Sequence, residues 1–232
     1  MSKNKQMHSR NIIDVGPDVA TAGPVGLAQG VYGARGNLEL VACGAEEGLW
    51  VFWFNADDPD DAVTTPDVPP GTWSAGLGFA PGIRYLDAQI AQSALGPDHL
   101  EVLALTADHV LQSWYWSPGP GFRRRPVDAA LGVARFRLAH DAGELRVAVQ
   151  RTDGASATVS SPTVGYPDRY WHESEGSPTL DDDTALAMLA AHGILHAEPR
   201  TARSARSTRD GGTTELTWRG ADGIIRHLGI PD

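Results

Sequence analysis

The sequence predicts an all-β fold: a small four-bladed β-propeller whose N-terminal strand closes the last blade, with one helix inserted at about 181–196. Three observations predict it. The chain repeats itself, since Asn37-Leu38-Glu39-Leu40-Val41-Ala42 leading to Gly48-Leu49-Trp50-Val51-Phe52-Trp53-Phe54 returns 62 residues later as His99-Leu100-Glu101-Val102-Leu103-Ala104 leading to Val110-Leu111-Gln112-Ser113-Trp114-Tyr115-Trp116. Such a copy means one supersecondary unit used again. Tight turns recur at Glu46-Glu47, Asp108-His109, Asp153-Gly154 and Asp222-Gly223, and Asp-Gly between apolar runs marks a hairpin because glycine accepts positive φ. The strands leaving the first two turns are apolar on both faces, with Trp50, Phe52 and Phe54 on one side and Val51 and Trp53 on the other. A half-exposed sheet would alternate with polar residues, so neighbouring sheets must cover both faces.

The elements follow in chain order. Residues 1–10 are polar and expected to be disordered, and 11–232 are expected to form one propeller domain. Asn11 to Gly16 has strand character and is free to complete the last blade. Inner strands are expected at Val25 to Tyr32, Tyr85 to Ser93 and Val133 to Ala139. Strands approaching the turns run from Leu38 to Gly44, Leu100 to Thr106, Leu145 to Arg151 and Thr214 to Arg219. Those leaving begin near Leu49, Val110, Ala155 and Ile224. Aromatic-led outer strands follow at Trp73 to Leu77, Phe122 to Pro126 and Tyr170 to Glu173. The last copy has no such strand after it. Closing the ring with the chain's own beginning would remove an exposed edge. The helix opens on Asp181, Asp182 and Asp183, which suit free N–H groups and the positive end of the dipole, and Leu186, Leu189 and Ala190 give it an apolar face. A five-bladed ring, or a half-ring completed by a homodimer, is the alternative to four blades.

Composition narrows the function. The 232 residues are 41% hydrophobic and 21% charged, and the 26 glycines and 16 prolines fit many turns. A net charge of −10 disfavours nucleic acid, whose phosphates need a basic surface. Cys43 is the only cysteine, so neither an intrachain disulfide nor a cysteine-rich metal site can form. No signal-like apolar run and no stretch of membrane-spanning length is present, so the expectation is a cytoplasmic protein without a membrane partner. Nucleotide, phosphate-loop and Gly-x-Ser-x-Gly motifs are absent, and no cofactor is expected.

Gly36-Asn37-Leu38-Glu39, a turn, then Gly48-Leu49-Trp50 and Phe52-Trp53 resembles the blade repeat of bacterial propeller lectins, a family that includes the Photorhabdus-type and fucose-binding propellers. The resemblance covers 36–54 and 99–116, places Trp73 as a Trp-led outer strand, and is looser over 144–154 and 214–226. There Ser156-Ala157 and Ile225-Arg226 replace the Leu-Trp element. It implies a propeller that recognises a glycan. Blades this divergent imply one asymmetric site or a scaffold, since lectin blades of that family tend to be near-identical.

Candidate site residues fall into several groups. Counting back eight or nine residues from each turn-approaching strand places Gln29, Gln92, Arg137 and Arg206 at one inner-strand level, where they would ring the channel with donors suited to an anion. Tyr170, Trp171, His172 and Glu173 combine an aromatic platform with an imidazole and a carboxylate, fitting sugar contact or, in an enzyme, acid–base work by His172 and Glu173. His192 and His196 have the i,i+4 spacing of metal ligands, but no third ligand can be named and no metal is expected. Arg200, Arg203, Arg206 and Arg209 read as a solvated connector to the last blade, and Asp57, Asp58, Asp60 and Asp61 as a mobile acidic loop. The functional expectation is a binding module for a glycan or small polar or anionic ligand, in the channel or between blades. The alternatives are a cofactor-independent cyclase, isomerase or lyase, and a protein–protein scaffold.

Overall fold

A computed structural model describes residues 11–61, 65–141, 144–162, 167, 168, 170–176, 180 and 183–232. The expectation of disorder over 1–10 lies outside them, as do Asp181 and Asp182. The described strands are β1 (Ile13–Val15), β2 (Thr21–Gln29), β3 (Leu38–Gly44), β4 (Leu49–Phe54), β5 (Leu77–Phe79), β6 (Tyr85–Gln92), β7 (Leu100–Thr106), β8 (Leu111–Ser117), β9 (Gly121–Arg124), β10 (Val133–Asp141), β11 (Glu144–Arg151), β12 (Ser156–Ser161) and β13 (His172–Glu175). Helix α1 (Asp183–Ala191), β14 (Arg203–Ser207), β15 (Thr213–Arg219) and β16 (Ile225–Pro231) complete the chain.

The strands form four antiparallel four-stranded sheets: sheet I is β2-β3-β4-β5, sheet II is β6-β7-β8-β9, sheet III is β10-β11-β12-β13, and sheet IV is β14-β15-β16-β1. Closure by the N-terminal strand is therefore observed. Ile13 pairs with His227 and Val15 with Ile225, so β16 has a neighbour on each side. The turns behave as their residues dictate, with positive φ at Gly48, His109, Gly154 and Gly223.

Register aligns the four copies residue by residue. Glu39, Glu101, Arg146 and Glu215 each face an inner-strand alanine, namely Ala28, Ala91, Ala139 and Ala205. Across the other side the same four positions face Trp53, Tyr115, Ser160 and Gly229. The repeat seen in two copies is thus present in four.

The sheets stack in the order IV, I, II, III, with β14 against β2, β2 against β6 and β6 against β10. Every residue of β3 and β7 is buried, as the two-sided apolar pattern requires. Val41, Cys43, Leu49 and Val51 of sheet I pack on Ala88, Ile90, Val102 and Trp114 of sheet II. Leu103, Leu105 and Leu111 carry the contact onward to Val147, Val149 and Val159. Val15 and Ile225 of sheet IV meet Val25, Leu40 and Phe52. Sheet III alternates instead: Leu145, Val147 and Val149 are buried, while Arg146 is exposed and Ala148 and Gln150 are half-buried. Its second face is polar and not packed as an interior blade.

Helix α1 explains how sheet IV is covered on that side. Ala185 and Leu189, with Met188 beside them, pack on Leu216, Trp218 and Leu228. The buried stripe runs through these residues and not through Leu186, which stays exposed. The helix is also shorter than the expected 181–196. It ends at Ala191, where Gly193 takes φ of 78° and Ile194 N–H donates back to the Leu189 carbonyl, a glycine-terminated cap. Two further expectations are corrected. Arg203 to Ser207 is the inner strand of sheet IV and not a solvated connector, because β15 needs a partner on that side. The third outer strand starts at His172, two residues later than Tyr170.

Candidate functional site

Three glutamates occupy the same place in three sheets, and each points toward the next sheet in the stack. Glu215 faces sheet I, Glu39 faces sheet II and Glu101 faces sheet III. All three are buried. A buried carboxylate needs a cation or several donors to stay ionised, and two of the three clefts supply them from the chain.

Between sheets IV and I, Arg209 reaches in from the loop after β14. Its Nε and Nη2 donate to the two oxygens of Glu215 at 3.0 and 2.9 Å, and its guanidinium lies 5.3 Å from the ring centre of Phe54. His227 Nε2 bonds the same carboxylate at 2.8 Å and Ser207 Oγ donates at 2.6 Å. Trp73 Nε1 donates to His227 Nδ1 at 3.3 Å, which leaves the Nε2 proton for Glu215. Burial alone would raise the Glu215 carboxyl, but the hydrogen bonds from His227, Arg209 and Ser207 outweigh it and hold it down at about 2.

Between sheets II and III, Arg125 fills the cleft. Its Nη1 lies 2.7 Å from Glu101 and donates to Ser113 Oγ at 2.9 Å, and Nε bonds the Pro167 carbonyl. The guanidinium sits 4.9 Å from the ring centre of Tyr115. Both side chains of the pair are fully buried. Each of these clefts is closed by an arginine of the chain itself, set beside an aromatic ring and across from the homologous glutamate.

Among the described residues the cleft between sheets I and II has no such arginine. Arg125 donates its N–H to the carbonyl of Ser113, and the corresponding partner of Val51 in sheet I is Leu77. Tyr32 stands three residues past Gln29, as Arg209 stands three past Arg206, and both Gln29 and Arg206 directly follow the inner-strand alanine that faces the glutamate. The result is a cavity of about 410 Å³, within the range of small-molecule sites. Glu39, Trp53 and Leu77 form the sheet I wall, and Trp116, Phe122 and Asp98 the sheet II wall. Phe122 stacks on Phe79 at 4.0 Å and packs on Trp116 at 5.2 Å, which fixes the aromatic wall. Among the described residues the Glu39 carboxyl finds no hydrogen-bond or ion-pair partner. Burial pushes its carboxyl up to about 8.

The long loop after β4 supplies the rim. Asn55 Nδ2 donates to the Val68 carbonyl at 2.7 Å, and Asp57 accepts from the N–H groups of Arg35 and Thr65 at 3.0 Å each. Thr65 Oγ1 donates to Asn37 Oδ1 at 3.0 Å, tying the loop to β3. Asp58 and Asp61 pair with Arg35. These bonds anchor the described part of the acidic stretch, which delivers Thr65, Pro66 and Asp67 to the cavity.

The inner-strand ring has a different membership from the expected one. Register places Gly26, Gln89, Arg137 and Arg203 at one level, opposite Val41, Leu103, Ala148 and Thr217. These four line the channel, a void of about 60 Å³ with room for a few waters. Gly26 is required there, since a Cβ would sit 2.6 Å from the Cα of Gln89. Of the expected ring only Arg137 belongs to it. Gln29 bonds the Thr208 hydroxyl at 2.8 Å and its backbone N–H at 2.9 Å, Gln92 caps the loop before β7 through the carbonyls of Gly96 and His99, and Arg206 pairs with Asp232 at the surface. Those three share a level three residues along the strands from that of Arg137. The channel is thus separate from the larger cavity.

The structure does not bring the aromatic outer-strand group together at a cavity. Tyr170 is exposed, Trp171 packs on the core of sheet III, His172 is exposed, and Glu173 pairs with Arg151 at 2.5 Å. His192 follows the last residue of α1, and among the described residues no cluster of three His, Cys, Asp or Glu side chains could hold a metal. No described helix is long and apolar enough to cross a membrane. Sequence reasoning missed Glu39, Trp116 and Leu77 as site residues. The signal was present in the alignment of the copies: the same glutamate in three of them, with arginine beside it in two.

No protein-family model matches the chain, and no curated protein matches it. Solved structures similar to it include the BP39L lectin from Burkholderia pseudomallei, at 15% identity over 90% of this chain and 52% of that one, with a TM-score of 0.49. AofleA from Arthrobotrys oligospora is 13% identical over 96% of this chain and 57% of its own, with a TM-score of 0.47. The chain spans little more than half the length of these structures.

Proposed function

We propose that the chain is a binding module that takes a glycan, or another small polar ligand of that size, in the cleft between sheets I and II. One observation carries this reading: of three homologous clefts, two are filled by arginines of the chain and the third is an open cavity of about 410 Å³ walled by indole and phenyl rings beside a buried carboxyl. Aromatic faces pack on the apolar face of a sugar ring, and a few fixed polar groups orient its hydroxyls. The geometry supports one site per chain, because the other two clefts have no room.

Titration of the protein with a panel of mono- and disaccharides, followed by tryptophan fluorescence, tests the proposal. Binding should quench or shift the emission of the wall indoles, and Trp116→Ala should weaken it at least tenfold while leaving the fold intact by circular dichroism. Saccharides that bind Trp116→Ala as tightly as the parent protein would place the site elsewhere and refute the proposal.

A further inference from the structure

The two filled clefts show what the open one is built to hold. In each, a planar cation lies between a buried glutamate and an aromatic ring: Arg209 between Glu215 and Phe54, Arg125 between Glu101 and Tyr115. The open cleft keeps two of these three parts. Glu39 is buried and points into the cavity, Trp53 occupies the register of Tyr115, and Trp116 occupies the register of Phe54. Among the described residues only the cation is absent, with Leu77 and Tyr32 standing where arginines stand in the neighbouring sheets.

From this internal template we infer that the ligand of the cleft carries an organic cation, the amino group of a sugar, seated between the Glu39 carboxylate and the wall formed by Trp53 and Trp116. The inference rests on the glycan reading above and narrows it to amino sugars. Three further features support it. Among the described residues no lysine or arginine lines the cavity, while Asp67 and Asp98 do. Cations are attracted to the faces of aromatic rings, to tryptophan most of all. A carboxylate out of water gains most from a cation that shares its cavity, as the paired glutamates of the neighbouring clefts do.

The test compares glucosamine oligomers with their fully N-acetylated counterparts, and adds methylguanidinium as a cation without a sugar, all by isothermal titration. Three proteins are used: the parent chain, Glu39→Gln, and Leu77→Arg, which returns to sheet I the arginine that sheet II has. The amino form should bind at least tenfold more tightly than the acetylated form, Glu39→Gln should erase that preference, and Leu77→Arg should block the amino form. Equal affinity for the amino and acetylated forms would overturn the inference while leaving the glycan reading in place. Binding of methylguanidinium in an E39-dependent way, with no sugar bound, would overturn the glycan reading and support the cation site. Silence of every probe would overturn both.

Discussion

Replacing Glu39 by glutamine should make the protein more stable, and more so as pH rises. The folded chain holds the Glu39 carboxyl at about 8 against an ordinary value of 4.5, through burial. Below 4.5 both folded and unfolded chains carry the proton, and the residue has no pH-linked effect. Between 4.5 and about 8 the unfolded chain releases a proton that the folded chain retains, so stability falls by about 1.4 kcal/mol per pH unit. Taken over the whole interval this bounds the loss at about 5 kcal/mol. Relaxation of the surroundings lowers the penalty of a buried charge, so about 2 kcal/mol is the expected gain for the glutamine variant at pH 8, with almost none at pH 4.5. For a chain of this length that gain corresponds to about 4–8 °C in Tm. Thermal melts of both proteins at pH 4.5, 6 and 8 measure it. A variant less stable than the parent at pH 8, or a difference that does not grow with pH, would mean that Glu39 has a partner in the folded protein and that the comparison of the three clefts is mistaken.

The homologous substitution in sheet IV should do the opposite. Glu215 is held at about 2, so it contributes stability above pH 4.5 that disappears as pH falls toward 2. Glu215→Gln should cost about 3 kcal/mol at pH 7 and progressively less toward pH 2, read by urea unfolding at both pH values; a penalty independent of pH would contradict the assignment. Arg125→Ala should be among the most damaging single changes, about 3–5 kcal/mol, because it strands Glu101 in a dry cleft. Adding Glu101→Gln should restore part of that loss, and a double variant no better than the single one would argue against an ion pair as the cause. Removing residues 1–16 should leave one edge of β16 unpaired, expose Val15's contact surface and lower stability by at least the ~2 kcal/mol of that side chain's burial. Size-exclusion chromatography should also show self-association through the open edge, and an unchanged, monomeric truncation would show that β1 is dispensable.

Much of the architecture was legible in the sequence because it rests on local rules. The turns at 108–109, 153–154 and 222–223 fix hairpins through backbone geometry alone. The apolar faces of β3, β4, β7 and β8 require neighbours on both sides. What escaped was register across sheets. Gln29, Gln92 and Arg206 do share a level, as their spacing predicts, but β10 continues to Asp141 and pairs Arg137 with Ala148, one repeat of the pleat plus a step away. An offset of that size cannot be read from strand spacing, because it depends on how far each hairpin extends. The role of Arg203 was hidden for a related reason. Its strand, Arg203-Ser-Ala-Arg-Ser207, is polar, and only its pairing with β15, with β2 of sheet I packed beside it, gives it a place in a sheet.

The divergence of the four copies has a physical logic that the two best copies conceal. Sheets I and II are interior to the stack and keep apolar residues on both faces. Sheets III and IV each have one face outside it, and each solves the problem differently: sheet III by polar alternation in β11 and β12, sheet IV by laying α1 over Leu216 and Trp218. The polar outer face of sheet III and the helix over sheet IV therefore follow from their position in the stack and need no separate functional cause. The clefts tell the converse story. Their glutamates are alike in position and burial, so stability by itself would favour filling all three with arginine, as two of them are. Leaving Glu39 unpaired costs the fold free energy at neutral pH that a leucine-to-arginine change at position 77 could recover. Stability cannot account for the open cleft, and binding a ligand that completes the missing part can.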